Sequence, residues 1–248
     1  MISRFNLVLA GLCYKLLQSI QKSTRGSVSK FAIFANDDLG LRIACLGEFE
    51  TEILSYLREK FCLDKNETVF IDIGANVGNH AIGLCDHFFH CYAFEPDPKN
   101  FCLLQFNAAQ KQNITCYPLA LSNRDGISEI CQDNFNTGKS HIVCDSSTLL
   151  ASEQERVIEV ETKRLDGTKL ISEAISLIKI DVEGHELQVL QGAKQLLIKQ
   201  TPTILIELLA EDIIDGRAAS LDFLEEMGYT NFYYFQRKYF DLTPSSNL

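Results

Sequence analysis

Short runs of β-branched and aromatic residues alternate along most of this chain with stretches whose apolar residues recur at helical spacing. Val69-Phe70-Ile71-Asp72-Ile73 is the first such run. It ends at a Gly/Asn turn, and residues 77–89 then read as a helix. Cys91-Tyr92-Ala93-Phe94 predicts a second strand, stopped by Glu95-Pro96-Asp97-Pro98, with a helix over 99–110 and a third strand over 114–121. The pattern resumes with a strand over 175–180, a helix over 186–199, a strand over 203–208 and a helix over 217–227. It closes with aromatic strands at 229–235 and 239–242. Strands buried on both faces that alternate with helices predict an α/β fold, with a mostly parallel sheet and helices on both sides. The closing aromatic pair predicts an antiparallel C-terminal edge. Residues 123–166 break the alternation: Asn123-Arg124-Asp125-Gly126 is a turn signal, and Val157 to Thr162 reads as a strand, so this stretch is expected to be a β-rich insertion.

Ahead of this domain, assigned to 67–248, residues 1–66 read as a helical extension. Residues 2–20 are apolar-rich but interrupted by Asn6 and Lys15, too short a run to span a bilayer. Three readings stay open for them: a helix packed on the body or on a second subunit of a homo-oligomer, a peripheral membrane-surface helix, or a targeting signal. Residues 18–30 are polar and basic and read as a linker, and residues 48–61 carry apolar positions at helical spacing.

Composition changes the picture in two respects. With 23 Lys and Arg against 33 Asp and Glu, the formal charge is −10, which argues against a nucleic-acid partner bound through its phosphates. The nine cysteines are scattered without any C-x-x-C pair. They read as reduced apolar residues of a cytoplasmic protein rather than a zinc site or a disulfide framework.

Candidate chemistry falls at strand ends. Asp72, Gly74, Ala75, Asn76 and Gly78 span the turn after the first strand. In an open parallel sheet that turn lies where ligands bind. A dinucleotide fingerprint would place glycine where Asn76 stands, so a pyrophosphate is disfavoured there. Glu95 ends the second strand, 21 positions after Gly74, placed to accept both hydroxyls of a ribose. Adenosine without phosphates, attached to a charged group near Asp72, points to S-adenosyl-L-methionine. Lys179-Ile180-Asp181-Val182-Glu183-Gly184-His185-Glu186 then sets three acids and a histidine at the end of another buried strand. Asp181 is the candidate to face the reacting methyl, and Glu183 and His185 the candidates for acceptor positioning or base catalysis. Glu186 is a further candidate for positioning or base work, with helix capping as its competing reading, and Glu207 ends the next strand on the same edge. No complete metal-ligand set is evident, and no metal residue is assigned.

These blocks, together with Leu119-Ala120-Leu121-Ser122 and Val189-Leu190-Gln191-Gly192-Ala193, resemble the FkbM-type methyltransferases in order from about residue 67 to 209. The resemblance implies a class I (Rossmann-like) methyltransferase that uses S-adenosyl-L-methionine, mostly for O-methylation of sugars and natural products. It also implies that Asp72, Gly74, Asn76 and Gly78 form the methionine-side loop and that Glu95 holds the ribose. Ala120, Leu121 and Ser122 would border the adenine, with Asp181 and Glu183 at the reaction centre. The expected acceptor is a sugar, glycan or small metabolite, read by residues outside these blocks. A catalytically silent cofactor-binding module of the same fold is the alternative.

Overall fold

The computed structural model describes residues 4–24, 31–34, 37–62, 67–133, 141–142, 155–168, 173–209, 212–214, 217–238 and 241–245. Its frame is a sheet of five parallel strands: β1 (Val69–Ile73), β2 (His90–Phe94), β3 (Ile114–Tyr117), β8 (Ile175–Ile180) and β9 (Thr203–Ile206), in the order β3-β2-β1-β8-β9. The chain works outward from β1 to β3 and then returns to the far side of β1. The order therefore reverses between β1 and β8, and a crevice opens beyond their carboxyl ends.

Alternation along β1 assigns the two faces. Val69, Ile71 and Ile73 pack on one side, in a core shared with α6 (Glu186–Gly192), α7 (Lys194–Gln200) and α8 (Ala219–Glu226). Phe70 packs on the other, with α3 (Thr51–Lys60), α4 (Asn79–Leu84) and α5 (Pro98–Ala108). Ile53, Leu54 and Leu57 of α3 are buried in that second core beside Leu84 and Phe88. A division at residue 66 thus does not separate two cores. Two asparagines reinforce the join. Asn79 accepts from the Phe49 amide at 2.8 Å and donates to its carbonyl at 2.9 Å, and Asn107 does the same to Ala32 at 2.7 and 3.0 Å.

The expected strand over 114–121 is two strands. Pro118 lacks an amide for the ladder. Beyond it, β4 (Ala120–Leu121) leaves the main sheet and pairs with β7 (Glu155–Lys163). With β5 (Gly126–Asp133) and β6 (His141–Ile142) these make the four-stranded insertion, in the order β4-β7-β5-β6. The helix expected over 186–199 also divides, at Gly192 and Ala193. A Cβ on Gly192 would lie 1.9 Å from the Ser122 carbonyl oxygen, so this glycine lets the helix end press against the insertion's first turn. The helix expected over 77–89 runs only from Asn79 to Leu84, continued by one 3₁₀ turn over Cys85–His87.

The closing aromatic strands, β12 (Tyr234–Lys238) and β13 (Asp241–Ser245), are antiparallel as expected, but they do not form an edge of the central sheet: among the described residues they pair with each other. The Phe235 ring meets Tyr56 of α3 edge-on at 5.5 Å. Two short strands, β10 (Ile213–Ile214) and β11 (Arg217–Ala218), precede α8. At the other end, α1 (Arg4–Thr24) runs through the first part of the expected linker, and α2 (Asp38–Leu46) is a helix the hydrophobic pattern did not suggest. No helix among the described residues is long and apolar enough to cross a membrane.

Candidate active site

Beyond the carboxyl ends of β1, β2, β8 and β9 lies a cavity of about 300 Å3. Gly74, Ala75, Asn76, Glu95, Leu119, Ala120 and Leu121 line it, together with Phe49, His80, Lys179, Asp181, Glu183 and Glu207, and with Asp37, Asp38 and Leu39 from the segment before α3.

The turn after β1 depends on glycine. Gly74 has φ +75°, and a Cβ there would lie 1.8 Å from the Asp181 carbonyl oxygen, so the β1 and β8 loops touch backbone to backbone. Asn76 follows with φ 50° and Gly78 with φ +95°, which turns the chain into α4. The Glu95 carboxylate, 5% exposed, accepts from the Asn76 amide at 2.8 Å and the Asp97 amide at 2.9 Å. Burial pushes its pKa up to about 7 against the lowering effect of those two amides. It therefore holds a fixed orientation with lone pairs still open to the cavity. Among the described residues the Asn76 Oδ1 is a buried acceptor with no protein donor. Oriented acceptors beside a turn that tolerates no Cβ suit a nucleoside carrying ribose hydroxyls.

Asp72 does not line this cavity. In the β1–β8 register it stands directly across from Lys179, so both side chains fall on the α3–α4 face. Asp72 is fully buried, and its Oδ1 lies 3.8 Å from Lys179 Nζ. Lys179 in turn donates to Asp181 Oδ2 at 2.8 Å. Burial would lower the Lys179 pKa, but Asp181 and Asp72 raise it further, so the ammonium stays charged. Burial likewise works to raise Asp181, and Lys179 outweighs it, keeping that carboxylate below its usual range. Glu207 hydrogen-bonds Asp181. Burial, with Asp181 and Glu50 nearby, pushes Glu207 up to about 7. The His80 Nε2 lies 3.3 Å from Glu50 Oε2. Glu50 adopts a left-handed φ of 54°, a strained setting for a residue with a side chain.

His185, expected at the reaction centre, stands elsewhere. Glu183 at φ 53° and Gly184 at φ +91° reverse the chain. His185 is then buried outside the cavity, where its Nε2 and the Ser122 Oγ are 2.9 Å apart. Ser122 is likewise off the cavity wall, while its neighbours Ala120 and Leu121 line it. Glu186 accepts from the Val182 and Gly184 amides at 3.1 and 3.2 Å, and so ties the turn before its own helix rather than capping the helix amides. Sequence reasoning assigned no role to Lys179, His80, Phe49 or residues 37–39. The one available signal was a lysine inside an otherwise apolar buried run. Among the described residues no cluster of three or more His, Cys, Asp or Glu is arranged to hold a metal ion.

Burial, then Arg124, lowers the His185 pKa to about 4, from an ordinary value of 6.5. The unfolded chain therefore takes up this proton first as the pH falls. Stability is expected to drop between about pH 6.5 and 4 and to level off below, by about 3 kcal/mol for this group. Urea unfolding across that range should show the slope in the native protein and a flatter profile in His185→Gln. Equal slopes would remove His185 as its source.

A family model for the methyltransferase FkbM domain matches residues 72–230. The hexuronic acid methyltransferase AglP of Haloferax volcanii is 30% identical over 147 residues, which cover 58% of this chain and 56% of that protein. The 2-O-methyltransferase NoeI of Sinorhizobium fredii is 29% identical over 168 residues, 62% of this chain and 69% of that one. The chain thus matches little more than half the length of the Haloferax protein. Among solved structures, the methyltransferase FkbM of Methylobacillus flagellatus aligns over 77% of this chain and 48% of that one, at 18% identity and a TM-score of 0.43. The precorrin-6y C5,15-methyltransferase of Geobacter metallireducens aligns over 79% and 82%, at 14% identity and the same TM-score of 0.43. With that domain running from the first core strand to beyond α8, the chain belongs to the FkbM methyltransferase family.

Proposed function

We propose that this chain is an S-adenosyl-L-methionine-dependent O-methyltransferase whose acceptor is a hydroxyl of a neutral or amino-bearing sugar. The observation that carries the reading is one cavity lined by two unlike groups of residues: Glu95 and the tight Gly74 turn suit a ribose, and a charged cluster around Asp181 lines the same cavity. When bound, S-adenosyl-L-methionine supplies an electrophilic methyl group on a sulfonium.

The chain's own residues do the rest. Glu95 accepts the ribose hydroxyls, Ala120 and Leu121 border the base, and Asp181 and Glu183 offer negative charge to the sulfonium side. Holding the acceptor oxygen in line with the methyl supplies much of the acceleration. A neutral hydroxyl must also lose a proton. Glu207, with its pKa raised to about 7, is matched to that task near neutral pH. This gives Glu207 the role first considered for His185.

The relatives' names speak of hexuronic acid and of 2-O-methylation, and support a sugar oxygen as the target. The charge of this cavity refines the choice. Asp37, Asp38, Glu95, Asp181, Glu183 and Glu207 line it, and its one lining lysine is already engaged by Asp72 and Asp181. A uronate about 6 Å from one such carboxylate would meet repulsion of about 2–3 kcal/mol at an effective dielectric of about 20.

Transfer of labelled methyl to a panel of neutral, amino and uronic methyl glycosides tests the reading. Label is expected on the neutral or amino sugars. Label confined to uronic acids would overturn the acceptor assignment, and failure to bind S-adenosylhomocysteine would overturn the cofactor. With a labelled acceptor in hand, activity should rise through about pH 7. That limb should vanish in Glu207→Gln, and a limb that persists would reassign the base.

A further inference from the structure

We propose that α1 is a docking helix for an anionic lipid surface. Its described side chains do not cover the enzyme body: Val8, Leu12 and Leu16 are 62–64% exposed and Leu9 is 49% exposed. At about 100° per residue these four fall within one arc of about 100°, the width of the apolar stripe by which an amphipathic helix packs or inserts. The helix leans on α2 and leaves that stripe to solvent. Stability of the fold gives no reason for such a face, because Val8, Leu9, Leu12 and Leu16 stay largely in solvent.

Charge selects the occupant. Residues 1–36 carry Arg4, Lys15, Lys22, Arg25 and Lys30 and no acid, so every one of the 33 Asp and Glu lies beyond them. The chain is therefore split into a basic leading segment and a strongly acidic body. Pairing α1 with α1 of a second copy would bring two basic segments together. An anionic bilayer offers both partners at once, an acyl layer for the leucines and headgroups for the cations. It also repels the acidic body. The helix is too polar to cross the bilayer, so the contact is with the interface.

The test uses the full chain and extruded vesicles of phosphatidylcholine, with or without phosphatidylglycerol. Co-sedimentation is expected to be at least about tenfold stronger on the phosphatidylglycerol vesicles, and to weaken as salt rises from about 0.05 to 0.5 M. Leu12→Glu should reduce binding by about tenfold or more with an unchanged melting temperature, since the site is exposed. Lys15→Glu should weaken binding to the anionic vesicles. Absence of sedimentation with either vesicle would overturn the proposal, as would equal binding to both or unchanged binding by Leu12→Glu. So would a salt-resistant dimer, seen by light scattering, that Leu12→Glu dissociates: that result would assign the face to a second copy.

Discussion

Gly74→Ala is expected to weaken S-adenosylhomocysteine binding by at least about 100-fold and to cost about 3 kcal/mol of stability. Two effects combine. The residue sits at φ +75°, where a side chain costs about 1–2 kcal/mol. The added methyl would also lie 1.8 Å from the Asp181 carbonyl oxygen and 2.9 Å from its carbon. Both of those atoms are backbone, so the clash is not relieved by rotating a side chain. The β1 and β8 loops must part, and they carry Asn76 and Asp181, both of which line the cavity. Gly78→Ala is the control. Its φ is equally unfavourable at +95°, but its new Cβ would meet the ends of flexible side chains, Leu104 Cδ1 at 2.9 Å and Ile82 Cδ1 at 3.1 Å. It should lose comparable stability and keep binding within about tenfold. Calorimetric titration and urea unfolding separate the two. If both glycine variants bind alike, the loop contact does not set the cavity.

That contact is also where sequence reading and structure part. Strands buried on both faces announce themselves, and the readings of β1 and β8 agree with the structure to the residue, because an unbroken apolar run has few other uses. The turn after β1 was equally legible, since Gly74 and Gly78 answer a local need for positive φ. Boundaries were lost where one residue vetoes a run. Pro118 splits an apolar stretch into β3 and β4, and Gly192 ends a helix because the Ser122 backbone lies against it.

The surroundings of Asp181 were hardest to read because register and loop reversal assemble them. Lys179 matters through facing Asp72 across two strands that are far apart in sequence. His80 matters through Glu50, which arrives from a segment ahead of the family match. His185 shows the opposite error. Only four positions from Asp181, it is sent behind the cavity by two successive residues at positive φ. Proximity in sequence was taken for proximity in space, and the glycine between them was the warning.

Lys179→Met is expected to destabilise the protein by about 3–5 kcal/mol, more than its lost packing explains, because it strands a charge. Asp72 is fully buried, and among the described residues neither of its carboxylate oxygens has a hydrogen-bond partner. The ammonium at 3.8 Å is what offsets its desolvation. Without it the native protein holds a buried carboxylate that no positive charge offsets. Urea unfolding would show this as a gap from the native protein. Lys179→Met combined with Asp72→Asn removes the stranded charge and should recover most of the loss, a coupling well outside additivity. Activity should not return with it, since Asp181 has also lost the 2.8 Å donor that keeps it ionised beside Glu207. A double variant as unstable as the single one would mean that Lys179 acts through packing alone. A double variant restored in both stability and turnover would mean that the lysine holds the fold and takes no part in the site.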